Sequence, residues 1–143
     1  LGGEMSGHIF FADDYYGYDD AIYVAARIVQ TLSRTKKTLS ELKAELPVYF
    51  STPEIRLEAE SDEEKFRIAK EAIQYFIANY ECSTVDGVRI KFDDGWGLVR
   101  SSNTQPVIVC RFEANTSDRM EEIQSIVMKK LEEIGSLKLD AGH

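Results

Sequence analysis

The chain has 143 residues, 43% of them hydrophobic and 29% charged, with a formal net charge of −8. That composition suits one ordinary domain, or a small domain beside a piece of another, with enough apolar side chains for a core. It excludes broad nucleic-acid binding, which needs Lys and Arg to displace counterions. No apolar run nears the roughly 20 residues that cross a bilayer, and no signal peptide opens the chain. The expected setting is cytoplasmic, with neither membrane nor nucleic acid as a partner. The opening Leu1-Gly2-Gly3, without an initiator Met, reads as a cut inside a larger protein.

In chain order, Ile9, Phe10, Phe11 and Ala12 predict a short buried strand. A turn, Asp13-Asp14-Tyr15-Tyr16-Gly17-Tyr18, follows, its tyrosines expected to pack between domains or against a helix. A helix is predicted from Asp19 or Asp20 to Arg34, with Ile22, Ala25, Ala26, Val29 and Leu32 at helical spacing. Thr38 and Glu41 form a capping box for a short helix ending near Leu46-Pro47. Val48–Pro53 is the expected domain boundary. Beyond it, Ile55, Leu57 and Ala59 alternate with polar residues as a strand with one wet face. Ser61 and Glu64 suggest a second capping box, and Phe66, Ala69, Ile73, Phe76, Ile77 and Tyr80 an amphipathic helix. Asp86-Gly87 signals a hairpin turn. Strands follow over Val88–Phe92, Trp96–Arg100 and Val107–Ala114, then a helix from Thr116 or Ser117 carrying Met120, Ile123, Val127, Leu131 and Ile134, stopped by Gly135. The expected fold is α+β: a four-stranded antiparallel sheet with two helices on one face, preceded by a strand–helix remnant of an α/β domain.

Two constellations could carry chemistry. Arg100-Ser101-Ser102-Asn103-Thr104-Gln105-Pro106 lies between two strands. A guanidinium fork can grip two phosphate oxygens, and Ser102, Asn103 and Thr104 can add donors. Ser, Asn and Thr are also ordinary turn formers, so composition alone leaves a plain polar hairpin open. In Gly2-Gly3-Glu4-Met5-Ser6-Gly7-His8, an extended stretch would point Glu4, Ser6 and His8 the same way. A carboxylate, a hydroxyl and an imidazole make a sugar-binding edge, and His8 could handle a proton near neutral pH. A flexible tail is the plainer reading. Cys82 and Cys110, far from His8 and His143, read as two free thiols, and Asp13-Asp14 and Asp93-Asp94 as turns, so no metal site is expected in this chain. Asn115-Thr116-Ser117 reads as a helix cap. Arg111 is expected either to pair near Glu113 or to support the 100–106 loop.

Together the two motifs resemble the α-D-phosphohexomutase superfamily, the phosphomannomutases and phosphoglucomutases. Gly3-Glu4-Met5-Ser6-Gly7-His8 is similar to that family's sugar-specificity loop, and Gly97–Pro106 followed by Arg111-Phe112-Glu113 to its phosphate-binding signature. Asp14-Tyr15-Tyr16-Gly17-Tyr18-Asp19-Asp20 also resembles the family. The resemblance implies that residues 1–47 are the end of a third, sugar-recognition domain and residues 48–143 the fourth domain, with Val48–Pro53 a closing hinge. It implies that Glu4 and Ser6 bind sugar hydroxyls, that His8 assists proton transfer, and that Arg100, Ser102, Asn103 and Thr104 hold the phosphate not being transferred. It implies a parent enzyme that interconverts hexose 1-phosphate and hexose 6-phosphate, mannose or glucose, through a hexose bisphosphate that also serves as activator. The phosphoserine nucleophile and the Mg2+-binding acids belong to earlier domains, so the partners expected are a phosphosugar and the missing N-terminal domains, and the fragment alone should be inactive. A stand-alone phosphosugar-binding module, or an interaction domain dimerising through residues 9–32, is the alternative.

Overall fold

The structure is a computed structural model that describes residues 1–4 and 6–139; Met5 and His143, both named above, lie outside the described residues. The chain forms two compact units that meet at Pro47 and Val48.

In the first unit β1 (Gly2–Gly3) pairs antiparallel with β2 (Ile9–Phe10). The predicted four-residue buried strand is therefore shorter, and it is half-buried because its partner is a pair of glycines with no side chains to pack. Helix α1 (Ala21–Ser33) starts where Asp20 accepts from the amides of Ile22 and Tyr23 and so satisfies two orphan donors. None of its residues is buried: Ile22 stays 84% exposed and Val29 64%. Tyr15 stacks on Tyr23 of α1, with ring centroids 3.7 Å apart, and donates to Asp20. That bond holds the Tyr15 pKa above its ordinary value and the Asp20 pKa below its own. Helix α2 (Leu39–Ala44) carries the complete Thr38/Glu41 capping box.

The second unit has its own core. Its elements are β3 (Phe50–Ser51), β4 (Ile55–Glu58), α3 (Asp62–Asn79), β5 (Cys82–Ser83), β6 (Val88–Phe92), β7 (Gly95–Ser101), β8 (Val107–Ala114), α4 (Ser117–Ile134) and β9 (Lys138–Leu139). The sheet order is β5-β6-β7-β8-β4-β9, with β3 also on β8, and every pairing is antiparallel. The expected four-stranded sheet thus has seven strands. The additional ones, β3, β5 and β9, are two-residue edges, too short to show the alternation by which strands are recognised. Val88, Ile90, Val99, Ile108, Cys110 and Phe112 face one way and pack with Ile68 and Phe76 of α3 and with Ile123, Val127 and Leu131 of α4.

Three local expectations need correction. On α3 the buried stripe is Lys65, Ile68, Ala69, Ala72 and Phe76, whereas Phe66 and Ile77 are 53% and 52% exposed. Ser61 accepts from the Glu64 amide, but the Glu64 carboxylate turns to Arg67, so the capping box is half-formed. Most of the supposed hinge is fixed: Phe50 and Ser51 pair with Ala114 and Glu113, and Thr52 exchanges hydrogen bonds with Phe112. Between Ser51↔Glu113 and Ile55↔Cys110, Thr52, Pro53 and Glu54 oppose only Arg111 and Phe112, which is a β-bulge beside Arg111.

Candidate functional site

The strand registers decide which side chains share the face of the sheet turned away from α3 and α4. Arg56, Val109 and Arg100 form one cross-strand row, Arg111, Leu98 and Arg89 the next, and Glu113, Trp96 and Lys91 the third. One face of an otherwise acidic chain thus gathers Arg56, Arg89, Lys91, Arg100 and Arg111 against Glu58 and Glu113. Arg56, Lys91 and Arg100 are ion-paired to Glu54, Glu81 and Asp86, so the positive potential of this face is partly offset.

The 100–106 loop closes at the end of that face. The Ser102 amide donates to Val107 O at 2.9 Å and the Val107 amide to Gln105 O at 2.8 Å. The Thr104 amide donates to Ser102 Oγ at 3.3 Å, so the two hydroxyls lie 3.5 Å apart. Arg56 donates to the Gln105 side chain and, at 2.9 Å, to Glu54. Arg100 donates to Asp86 at 3.0 Å, a surface pair that fixes its direction more than it stabilises. Asp86 stands there because Gly87, at φ +72°, folds its turn flat onto β7: a Cβ at Gly87 would lie 2.3 Å from Val99 O and 2.8 Å from Arg100 Cα. Arg111 is half-buried and its Nε is buried without a hydrogen-bond partner among the described residues. An unpartnered buried donor on a guanidinium is costly, and an anionic acceptor would relieve that cost.

In the first unit the chain reverses between Glu4 and His8, unlike the extended stretch that would have pointed Glu4, Ser6 and His8 the same way. The Glu4 amide donates to His8 O at 2.8 Å and the Gly7 amide to Glu4 O at 3.1 Å, with Gly7 at φ +93°. The turn still brings Ser6 Oγ to 3.1 Å from Glu4 Oε2. His8 Nδ1 lies 2.5 Å from Asp19 Oδ2. A carboxylate only accepts, so Nδ1 carries the proton and Nε2 is the atom free to exchange one. The Asp19 hydrogen bond, then its charge, raises the His8 pKa above the ordinary 6.5.

The predicted residues fall into two groups: Arg100, Ser102, Asn103 and Thr104 at one loop, Glu4, Ser6 and His8 at one turn. Sequence reasoning missed Lys65, Asp86 and Asp19. Lys65 alone carried a signal, a Lys at a position that completes an apolar helical stripe. A cleft of about 460 Å3 at the opposite end of β6 and β7, lined by Tyr49, Arg89, Trp96 and Glu113 among others, is separate from the loop. Among the described residues no three His, Cys, Asp or Glu side chains converge on a metal position. Asp94 is taken by Arg119 and Asp13 by Arg27. The residues present do not fit a Mg2+ ion.

The pattern for "Phosphoglucomutase/phosphomannomutase, C-terminal domain" matches residues 54–130, and that for its "alpha/beta/alpha domain III" matches residues 1–50. The chain belongs to the phosphoglucomutase/phosphomannomutase family. Among its curated relatives, a phosphomannomutase/phosphoglucomutase of Pseudomonas putida is 44% identical over 133 residues, 92% of this chain and 28% of that protein. A phosphoglucomutase of Neisseria gonorrhoeae is 40% identical over 127 residues, 87% of this chain and 27% of its own length. The crystal structure of a phosphoglucomutase/phosphomannomutase family protein from Burkholderia thailandensis superposes with a TM-score of 0.77 at 36% identity, over 96% of this chain and 29% of that one. The chain therefore spans less than a third of the length of these phosphohexomutase relatives. No described helix is long and apolar enough to cross a membrane.

Proposed function

We propose that this chain is the C-terminal part of an enzyme that interconverts hexose 1-phosphate and hexose 6-phosphate, with mannose, glucose or both as the sugar, through a bisphosphorylated intermediate. Residues 1–47 end its sugar-recognition domain and residues 48–143 form its phosphate-binding domain. The observation that carries this reading is the 100–106 loop: Arg100, aimed by Asp86, and the orphaned Arg111 Nε share a face with a loop that presents Ser102, Asn103 and Thr104. The two arginines supply charge-assisted donors, and the loop groups supply shorter-range ones, which is the donor set that a phosphate monoester needs.

The Glu4–Ser6 turn offers an acceptor and a hydroxyl for sugar hydroxyls, and His8, oriented by Asp19, offers Nε2 to a reacting oxygen. Gripping the phosphate that is not being transferred is positioning catalysis: binding energy remote from the reaction orders the reacting end. The phosphoserine nucleophile and the Mg2+ of this family belong outside these 143 residues, so no transfer step is assigned to this chain, and alone it should be inactive. The parent enzyme is expected to convert glucose 1-phosphate, mannose 1-phosphate or both to the 6-phosphates. Arg100→Ala in it is expected to raise KM about tenfold or more, since a bidentate charged contact is lost. An unchanged KM in that variant, or a parent active on neither sugar phosphate, would refute the assignment.

A further inference from the structure

We propose that Lys65 is a positioning residue for the phosphate loop: from behind, its ammonium fixes the loop's shape and turns the Asn103 amide outward as an anion donor. This rests on the loop being a phosphate site.

Lys65 occupies the first position of the buried stripe of α3 and is 1% exposed. A buried ammonium is tolerated only when its donors are used. Here three acceptors match its three N–H groups: Asp62 Oδ1 at 2.7 Å, Ser102 O at 2.9 Å and Gln105 O at 2.9 Å. The two carbonyls bracket Asn103 and Thr104, so one side chain ties both ends of the turn to α3. Helix energetics do not call for a Lys there. It lies one turn from the start of α3, where the macrodipole favours anions, and the neighbours Asp62, Glu63 and Glu64 follow that preference. The cation is explained by the loop.

Trans peptide geometry then sets the outward face. No peptide bond is cis, so the C=O and N–H of each unit point in opposite directions. With Ser102 C=O drawn to Lys65, the N–H of the same peptide unit, that of Asn103, is directed away from it. Among the described residues neither that amide nor the Asn103 side chain has a hydrogen-bond partner. The other tethered unit, Gln105–Pro106, has no N–H, so the pull there fixes the exit of the loop and exposes no competing donor. The Asp62 side chain is 68% exposed and screened by water, whereas the ammonium is buried. A positive charge therefore stands behind the loop in addition to Arg100 in front of it.

The test uses amide NMR of the 143-residue chain with inorganic phosphate as probe. Lys65→Met keeps the stem and removes charge and donors; Asp62→Asn keeps both tethers to the loop. In ligand-free Lys65→Met the amides of residues 102–105 are expected to shift while those of α4 stay in place, and phosphate is expected to bind about tenfold more weakly. Asp62→Asn is expected to hold the affinity within about twofold. Lys65→Gln, which keeps two N–H donors, replaces Lys65→Met should that variant not fold. Unmoved loop amides in a folded variant would overturn the proposal. So would phosphate affinity equal to that of the parent chain despite lower thermal stability, since that is the signature of a purely structural residue. If the unsubstituted chain shows no response to phosphate, the phosphate reading of the loop fails, and the ligand-free spectra still decide whether Lys65 shapes it.

Discussion

Helix α1 and helices α3 and α4 are all amphipathic, yet they meet different fates. The stripe of α1 meets a short two-stranded ribbon, Phe11, a few tyrosines and the leucines of the short α2, and none of its residues is buried. The stripes of α3 and α4 meet a seven-stranded sheet, and Ile68, Ala72, Phe76, Ile123, Val127 and Leu131 are fully buried against it. The same sequence signal, apolar residues at helical spacing, thus states only that a helix needs a cover. Whether the chain contains that cover is a separate fact. Unit two satisfies its helices internally and can hold a loop rigidly; unit one presents its turn on a scaffold whose apolar face is still open.

The largest effect should come from the core that separates the two units. Phe76→Ala, at a site with no exposure, is expected to cost about 3–5 kcal/mol. Val29→Ala, at 64% exposure on α1, is expected to change stability by no more than about 0.5 kcal/mol. Urea unfolding followed by far-ultraviolet circular dichroism measures both, and the single tryptophan, Trp96, reports the second unit separately. Equal costs for the two truncations would erase the contrast.

Glycines at positive φ sharpen the comparison one step lower. Gly7 has nothing within 4 Å of an added Cβ, so Gly7→Ala should cost only the left-handed backbone penalty, about 1 kcal/mol. Gly87 has the same backbone problem plus contacts at 2.3 Å to Val99 O and 2.7 Å to Arg100 Cβ. Gly87→Ala is expected to cost about 3 kcal/mol and to misplace Arg100, seen as moved amide signals at residues 99–101. If the two substitutions cost the same, the packing of the Asp86–Gly87 turn on β7 is looser than described.

Much of unit two was legible in the sequence because its long elements have caps and clean periods. Thr116 and Ser61 cap the helices as expected, the alternation in Val88–Phe92 marked one strand, and the apolar run opening Val107–Ala114 marked another. The 100–106 loop was legible as a polar connection between two strands, whereas its phosphate role came from the resemblance and not from composition, because Ser, Asn and Thr are ordinary turn formers. Three things were not legible, each for a physical reason. Edge strands of two residues have no period to detect. The face of α3 was misread because Lys65, a charged residue, completes its buried stripe, so Phe66 was taken as inward in its place. The reversal between Glu4 and His8 was not legible because polar residues alternating between glycines fit an extended edge or a flexible tail equally well, and only Gly7 at φ +93° permits the reversal.

The smallest expected effect concerns the exposed unit, and it asks whether an open scaffold can still orient a functional group. His8 and Asp19 side chains are 55% and 39% exposed, so their pair adds little to stability. It does set a proton. The folded-state His8 pKa is raised above 6.5, first by the hydrogen bond to Asp19 and then by its charge. The pair's contribution is therefore complete below the unfolded value near 6.5 and fades as pH climbs through the higher folded value. Asp19→Asn keeps an acceptor but removes the charge, so the His8 pKa should fall back toward 6.5, which imidazole NMR shifts between pH 5 and 9 can follow. The helix content should not change, because the α1 cap is Asp20, not Asp19. An imidazole that titrates identically in both proteins would mean that Asp19 does not hold His8 in solution, and proton transfer through Nε2 would lose its orienting group.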